Sequence, residues 1–159
     1  MADVFQADLQ NRQHQIAIIN LLDQYAEDEM GQGSRLRPSA RRNLLNGLLR
    51  RPWIHVFLAQ QQSEFVGILV GVEGFSTFNA APLLNVHDVY VRPEFRRQGI
   101  AHRLFSYAEA KANDLGCCKL TLEVLEGNHL AQSIYRAMGF TPYSINDHAG
   151  VAQFWQKYL

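Results

Sequence analysis

Residues 91–101 include the side chains and spacing best suited to hold an anion. The stretch reads VRPEFRRQGIA and leads directly into an amphipathic helical pattern. The first amides of a helix lack intrahelical acceptors and carry partial positive charge, and a turn before the helix adds further amides. Gly99 allows close backbone approach, Ala101 is small, and Arg96 or Arg97 adds charge at the rim. These residues indicate a pyrophosphate-binding turn, although a plain connection between a strand and a helix is an alternative that they leave open.

Other ligand-binding motifs are absent from the sequence. It contains neither the GxxxxGK[ST] spacing of a P-loop nor the GxGxxG spacing of a dinucleotide-binding fold. The six histidines are scattered, and no HExxH or CxxC occurs. We therefore expect no metal site.

Polar side chains interrupt the apolar strand predicted at 83–91. They are Asn85, His87 and Asp88, and polar groups in a central strand are costly unless they are bound. Strand alternation places His87 and Asp88 on opposite faces, with Asp88 on the face of Tyr90, unless a bulge changes the register. Structural hydrogen bonds to nearby loops are an alternative to a chemical role for His87 and Asp88.

The elements that must position these residues follow from periodicity and turn signals. We predict a strand at 4–7, helices at 10–28 and 38–49, a hairpin of 53–59 and 64–72, a loop at 74–82, a strand at 83–91, a helix at 98–115, a strand at 118–124, a helix at 128–138, and closing strands at 140–145 and 151–158. This order predicts a mixed α/β fold with a twisted, mostly antiparallel sheet of six or seven strands and about four helices.

Composition predicts one domain over residues 1–159. The chain has 47% hydrophobic residues, and its 15 basic residues balance its 15 acidic ones, which disfavours nucleic acid as a partner. No apolar run approaches a membrane span of about 20 residues, and the acidic first ten residues are unlike a signal peptide. A cytoplasmic protein is expected. Adjacent Cys117 and Cys118 are predicted to be reduced, buried thiols.

Two stretches resemble the motifs of one family, the GNAT N-acetyltransferase superfamily. Arg96, Gly99 and Ala101 match its acyl-CoA-binding motif, Arg/Gln-x-x-Gly-x-Gly/Ala. The second stretch, 126–140, is similar to N-x-x-A-x-x-x-Y-x-x-x-G-F and matches it at Asn128, Ala131, Tyr135, Gly139 and Phe140. The resemblance covers residues 83–143 and implies a sheet that splays where 89–91 diverges from the next strand.

The resemblance also implies acetyl-CoA as the cofactor and a set of residues that bind it. The backbone of 89–91 would pair with the pantetheine arm, and the amides of 97–103 would hold the pyrophosphate. Asn128 would contact the pantetheine arm or order the start of its helix. The implied cofactor residues are Val89, Tyr90, Val91, Arg96, Arg97, Gln98, Gly99, Ile100, Ala101, His102, Arg103, Asn128, Ala131 and Tyr135.

Direct attack of an amine on the thioester is the chemistry that the resemblance implies. Tyr135 would protonate the leaving thiolate, the alternative being a buried core tyrosine. His87 is our first choice of base, because its intrinsic pKa suits the task and it lies where relatives often carry a glutamate, with Asp88 and Glu123 as further candidates. Glu123 would otherwise bind the substrate ammonium or be a solvated carboxylate.

The acceptor is expected to be a primary amine on a small molecule or a peptide. Phe75, Phe78 and Asn85 would line its pocket together with Asp88, unless the two phenylalanines are core residues. The glycine-containing segment 30–37 is either a lid over the acceptor or a connector. A non-catalytic acyl-CoA sensor and an interaction module are the competing functions, a larger acyl group is possible, and many relatives are dimers.

Overall fold

A five-stranded sheet lies at the centre of the larger of two units in this chain. The computed structural model describes residues 1–146 and 148–159, and the chain divides into units Met1–Leu122 and Glu123–Leu159. The units are described separately, and the single domain over 1–159 stays a prediction. The strands are β1 (Asp3–Gln6), β2 (Ile54–Gln61), β3 (Glu64–Ser76), β4 (Ala81–Val91) and β5 (Leu120–Leu122).

The strands follow one another across the sheet in chain order. Strands β1 to β4 pair antiparallel, and β5 joins β4 in parallel. The helices are α1 (Arg12–Glu27), α2 (Pro38–Leu49), α3 (Ile100–Asp114) and, in the second unit, α4 (His129–Ala137). The prediction of a mixed α/β fold with a mostly antiparallel sheet and four helices is confirmed.

Five strands replace the six or seven that we predicted. The segments 140–145 and 151–158 were expected to close the sheet, but in residues 123–146 and 148–159 the pairing consists of one bridge, Ser144 with Val151. Pro142 lacks the amide that a ladder needs, which disfavours a strand there. The predicted strand at 118–124 is also shorter, since β5 has three residues.

The predicted loop at 74–82 is instead the end of a long hairpin. Gly74 pairs with Leu83, and Ser76 pairs with Ala81, so only 77–80 form the turn. A Cβ added at Gly74 would lie 3.1 Å from Leu83 Cδ1. The glycine that suggested a loop therefore makes room for the cross-strand leucine.

The sheet is covered on both faces. On one face, α1 and α2 pack through Ile18, Leu21 and Leu48 against Val56, Leu58, Ile68, Val70 and Tyr90. On the other, α3 packs through buried Leu104 and Ala108, and its Tyr107 ring lies 5.4 Å from that of Phe57. Burying these side chains supplies the main stabilisation, about 25 cal/mol per Å² of apolar surface.

Helix α3 approaches the sheet closely at Gly67. A Cβ there would lie 3.2 Å from Tyr90 O and 3.3 Å from Leu104 Cδ1. Because the alternative to glycine would push the helix outward, Gly67 fixes the start of α3 against the end of β4. This contact positions the candidate anion site described below. No helix within the described residues is long and apolar enough to cross a membrane.

Candidate active site

The turn before α3 presents a row of amides with no protein acceptor. The Arg96 N–H donates to Pro93 O, and the Arg103 N–H donates to Gly99 O. Between them, within the described part of the chain, the amides of residues 97–102 have no acceptor in the protein. Six such groups in succession at a helix N-terminus form a set of donors suited to a phosphate or pyrophosphate. We call residues 97–102 the amide turn.

Left-handed backbone at two positions shapes the amide turn. Arg97 has φ +62° and Gly99 has φ +76°. Residues in this region cost about 1–2 kcal/mol unless they are glycine, so Arg97 is a strained position. A Cβ at Gly99 would meet no protein atom within 4 Å, which means that the space above the turn is open. The residues present therefore fit the pyrophosphate that the sequence implied.

Two arginines predicted to bind the cofactor are engaged elsewhere. Arg96 Nε donates to Val91 O at 2.9 Å, and its Nη2 donates to Asp28 Oδ2 at 2.7 Å. Arg103 Nη1 donates to Ala2 O at 2.8 Å, and its amide belongs to the helix. The predicted row of amides was thus one residue too long, because the first intrahelical bond closes at Arg103. Arg97 is exposed beside the turn, and its side chain makes no hydrogen bond to the described residues.

At the end of β4, which stays paired with β3, alternate backbone amides face away from β3. The Arg92 N–H donates to Val66 O in β3, and bond direction alternates along a strand, so Val89 and Val91 point their amides to the opposite side. Within the described residues, the ladder to β5 is confined to 84–86 and 120–122. This is the divergence predicted for residues 89–91, and it leaves a strand edge that an extended ligand could pair with.

A β-bulge places His87 between the two parts of β4. Val70 pairs with Asp88 while Gly71 pairs with Val86, so His87 has no partner in β3. Its side chain is exposed. The extra residue puts Val86 and Asp88 on opposite faces, although residues two apart share a face in a regular strand. The sequence allowed for a bulge here but could not locate it.

Asp88 is a half-buried carboxyl group with no hydrogen-bond partner among the described residues. Asp88 lies opposite Val70 and therefore on the face of the sheet that α1 covers, the same face as Tyr90. Burial raises the pKa of Asp88, and attraction to His87 offsets part of that rise. The pKa of Tyr25 in α1 is raised by burial and then by the charges of Asp88 and Asp28. A half-buried carboxyl group that accepts no hydrogen bond from the described residues and lies beside a bulge is suited to bind a cationic group.

The other predicted acceptor residues have different surroundings. Phe75 and Phe78 are 64% and 91% exposed at the hairpin tip, so the alternative that they are core residues is wrong. Asn85 Nδ2 donates to Thr121 Oγ1 at 3.1 Å and so joins β4 to β5. Asn85 therefore has a structural bond, and its contact with an acceptor stays a prediction.

The motif residues of the second unit order α4. Asn128 Oδ1 accepts from Ala131 N at 3.1 Å, which supports its predicted role at the helix start. Tyr135 is half-buried, and its ring lies 6.0 Å from that of Phe140. Glu123 is exposed at the beginning of this unit. The chemical roles of Tyr135 and Glu123 stay predictions from the motif.

Sequence reasoning missed Tyr25 and Asp28. The Tyr25 ring lies 5.8 Å from the Tyr90 ring, and Asp28 binds Arg96. The sequence contained a signal for Asp28. A carboxylate at a helix C-terminus is repelled by the helix dipole, which indicates that a positively charged group lies nearby.

The cysteines are less buried than predicted. Cys117 is half-buried and Cys118 is exposed, and both are free thiols. Burial raises the pKa of Cys117, with further contributions from Glu73 and Cys118. Among the described residues, no group of three His, Cys, Asp or Glu side chains is arranged to hold a metal ion.

The sequence of residues 18–140 matches the profile of the Acetyltransferase (GNAT) family. The chain belongs to that family. The match spans the amide turn, the bulged strand and α4, which is the region that carried the resemblance. The predicted family is therefore confirmed.

Named relatives and a solved structure agree with this assignment. The chain is 27% identical over 127 residues to the thialysine N-epsilon-acetyltransferase of Caenorhabditis elegans, covering 80% of this chain and 77% of that protein. It is 41% identical over 54 residues to the protein of that name in Bos taurus, covering 34% of this chain and 32% of that protein. The chain thus spans about a third of the bovine relative.

The fold is shared with AAC(6')-Iy, an aminoglycoside N-acetyltransferase solved with a bisubstrate analogue that contains CoA. The TM-score is 0.78 at 18% identity, covering 100% of this chain and 99% of that one. The family and its named members support acetyl-CoA-dependent N-acetylation of amines, which confirms the predicted enzyme class and cofactor at this level.

Proposed function

We propose that this protein transfers the acetyl group of acetyl-CoA to a primary amine of a small, cationic molecule. The observation that carries the proposal is an amide turn fit for pyrophosphate that follows β4, the strand on which the half-buried Asp88 carboxyl group lies with no hydrogen bond from the described residues. The named relatives act on thialysine and on aminoglycosides, both of which are small amines. A peptide amine as the acceptor and a homodimer as the oligomeric state stay predictions. A cytoplasmic location is supported by the free cysteines.

The amide turn would hold the pyrophosphate, with Arg97 adding charge from its exposed side chain. The outward-facing backbone of Val89 and Val91 would align the pantetheine arm along β4. Acetyl-CoA supplies an activated acyl group as a thioester. The protein's contribution is to fix that group beside the bulge, since correct placement of two reactants removes much of the entropic cost of their encounter.

Asp88 would bind the ammonium form of the acceptor, and His87 would take the proton that makes the amine nucleophilic. The half-buried Asp88 carboxylate loses part of its stabilisation by water. A bound cation would replace that stabilisation by electrostatic attraction. His87 lies next to it in sequence, exposed and outside the ladder, where a proton can pass to solvent. Tyr135 remains our proposed acid for the leaving thiolate, from its place in the motif.

Steady-state kinetics on a panel of small amines tests this proposal. The amines are screened by thiol release, and His87→Ala is then compared with His148→Ala, an exposed histidine that follows α4 in the chain. The first change should lower kcat about 100-fold or more with little change in the acetyl-CoA Kd, as expected for loss of a general base. The second removes an imidazole that belongs to neither proposed site and should leave kcat unchanged. Unchanged turnover in His87→Ala would remove His87 from the mechanism.

A further inference from the structure

Arg96 is held by the end of β4, by an aromatic ring and by α1. Its Nε donates to Val91 O at 2.9 Å, and its guanidinium carbon lies 5.7 Å from the centroid of the Tyr90 ring. Its Nη2 donates to Asp28 Oδ2 at 2.7 Å. These contacts fix the planar guanidinium in one orientation, because the Arg fork is rigid. Arg96 directly precedes the amide turn, so its position and that of the turn are linked through one peptide bond.

Asp28 joins this arginine to the segment that follows α1. Its Oδ2 accepts from Arg96, while its Oδ1 accepts from the Met30 N–H at 3.0 Å. Burial alone would raise the pKa of Asp28, but the hydrogen bonds from Arg96 and Met30 hold the pKa below its ordinary value. One carboxylate therefore bridges the cofactor side and the segment 29–37.

The segment 29–37 folds back on the end of α1. The Gly31 N–H donates to Asp28 O, and the amides of Gln32 and Ser34 both donate to Ala26 O. At its far end, the Leu36 N–H donates to Asp23 Oδ1 at 3.0 Å. The segment is thus an ordered turn rather than an open connection, and its first bonds form around Asp28.

The same end of α1 lies over the proposed acceptor residue. Tyr25 packs against Tyr90, and the pKa of Tyr25 is raised by burial and then by the charge of Asp88. Tyr25 and Asp28 are separated by about one helical turn, so the segment 29–37 starts beside the wall of the site. A change in its position alters the space available to the acceptor.

We propose that the Asp28–Arg96 pair is a positioning device that couples the amide turn to the segment 29–37. Anion binding at residues 97–102 fixes Arg96, Arg96 fixes Asp28, and Asp28 orders the first turn of the segment beside the acceptor. By linkage, an ordered segment favours cofactor binding by the same factor. This inference rests on the proposed function, because it requires that the amide turn binds the cofactor.

A purely stabilising role fits the pair poorly. The side chains are 42% and 21% exposed for Arg96 and Asp28, and ion pairs with this much solvent contribute about 0–1 kcal/mol to stability. The geometry is nevertheless specific, since both carboxylate oxygens and two guanidinium nitrogens are used. Asp28 is accordingly a positioning residue and has no part in the chemistry itself.

Hydrogen exchange with and without acetyl-CoA tests the coupling in the whole chain 1–159. The readout is exchange at the amides of Gly31, Gln32 and Ser34, and the perturbation is Asp28→Asn, which removes the charge while keeping the shape. Glu27→Gln is the matched control, because Glu27 pairs with Arg35 of the same segment at 3.1 Å but does not touch Arg96. Acetyl-CoA affinity is measured for each variant by calorimetry.

In the wild type and in Glu27→Gln, acetyl-CoA should slow exchange at these amides about five-fold or more, the lower range of typical couplings. In Asp28→Asn that protection should disappear while acetyl-CoA still binds, and the amine KM should rise with kcat nearly unchanged. Asp28→Glu, which restores the charge, should recover part of the protection. Equal protection in Asp28→Asn and the wild type, or equal loss in Glu27→Gln, overturns the coupling with the proposed function intact. Absence of acetyl-CoA binding to the wild type overturns both.

Discussion

Two glycines at opposite ends of α3 allow the cofactor site to be tested apart from stability. Gly99 precedes the helix with φ +76°, and Gly116 follows it with φ +71°. A Cβ at either would meet no protein atom within 4 Å. Replacing each with alanine should therefore lower the free energy of unfolding by a similar amount, about 1–2 kcal/mol, because only the left-handed backbone is strained. Urea unfolding measures this decrease in the free energy of unfolding.

The effects on acetyl-CoA binding should differ sharply. A methyl group at Gly99 enters the open space above the amide turn, and loss of one hydrogen bond to a charged group costs about 1.5–3 kcal/mol. The Kd in calorimetry should therefore rise roughly 10- to 150-fold in Gly99→Ala. Gly116→Ala lies about 25 Å away along the helix and should bind as the wild type does. Equal affinities in the two variants would refute the amide turn as the pyrophosphate site.

Three further outcomes are expected. Because burial raises the pKa of Asp88 above its ordinary 3.8, the folded state binds more protons than the unfolded state, and stability falls as pH rises through that window. Asp88→Asn should therefore be more stable than the wild type at pH 7 in urea unfolding, with the difference lost below about pH 4, and it should raise the amine KM. Tyr135→Phe should lower kcat without changing the acetyl-CoA Kd. In mass spectrometry, iodoacetamide should label exposed Cys118 before half-buried Cys117, whose thiol pKa is raised.

Strong local signals in the sequence correctly predicted the helices and the strand β4. Helix α2 begins at Pro38 and ends at Leu49 as predicted, since proline is favoured in the first helical turn and the leucine spacing is regular. The amide turn was found because glycine and the motif around it are contiguous in the chain. Features built from neighbouring residues were therefore predictable.

Features that depend on residues distant in the sequence could not be predicted. Arg96 looked like an anion ligand, but Asp28 lies 68 positions away and captures its guanidinium. The bulge at His87 depends on the pairing of β4 with β3, which no local pattern specifies. The prediction of closing strands was wrong for a similar reason. Apolar and aromatic residues at 151–158 indicate strand propensity, but they do not determine whether another strand is available to pair with.

The bulge would allow one strand to serve both of the proposed substrates. Before it, Asn85 binds Thr121 and ties β4 to β5. After it, the backbone of Val89 and Val91 faces away from β3, while the side chains of Asp88 and Tyr90 face α1. A regular strand would keep Val86 and Asp88 on one face, and either the core contact of Val86 or the carboxyl group beside Tyr25 would be lost. The extra residue at His87 lets the apolar packing and the polar site coexist, with the backbone edge available to the cofactor and the side chains available to the amine.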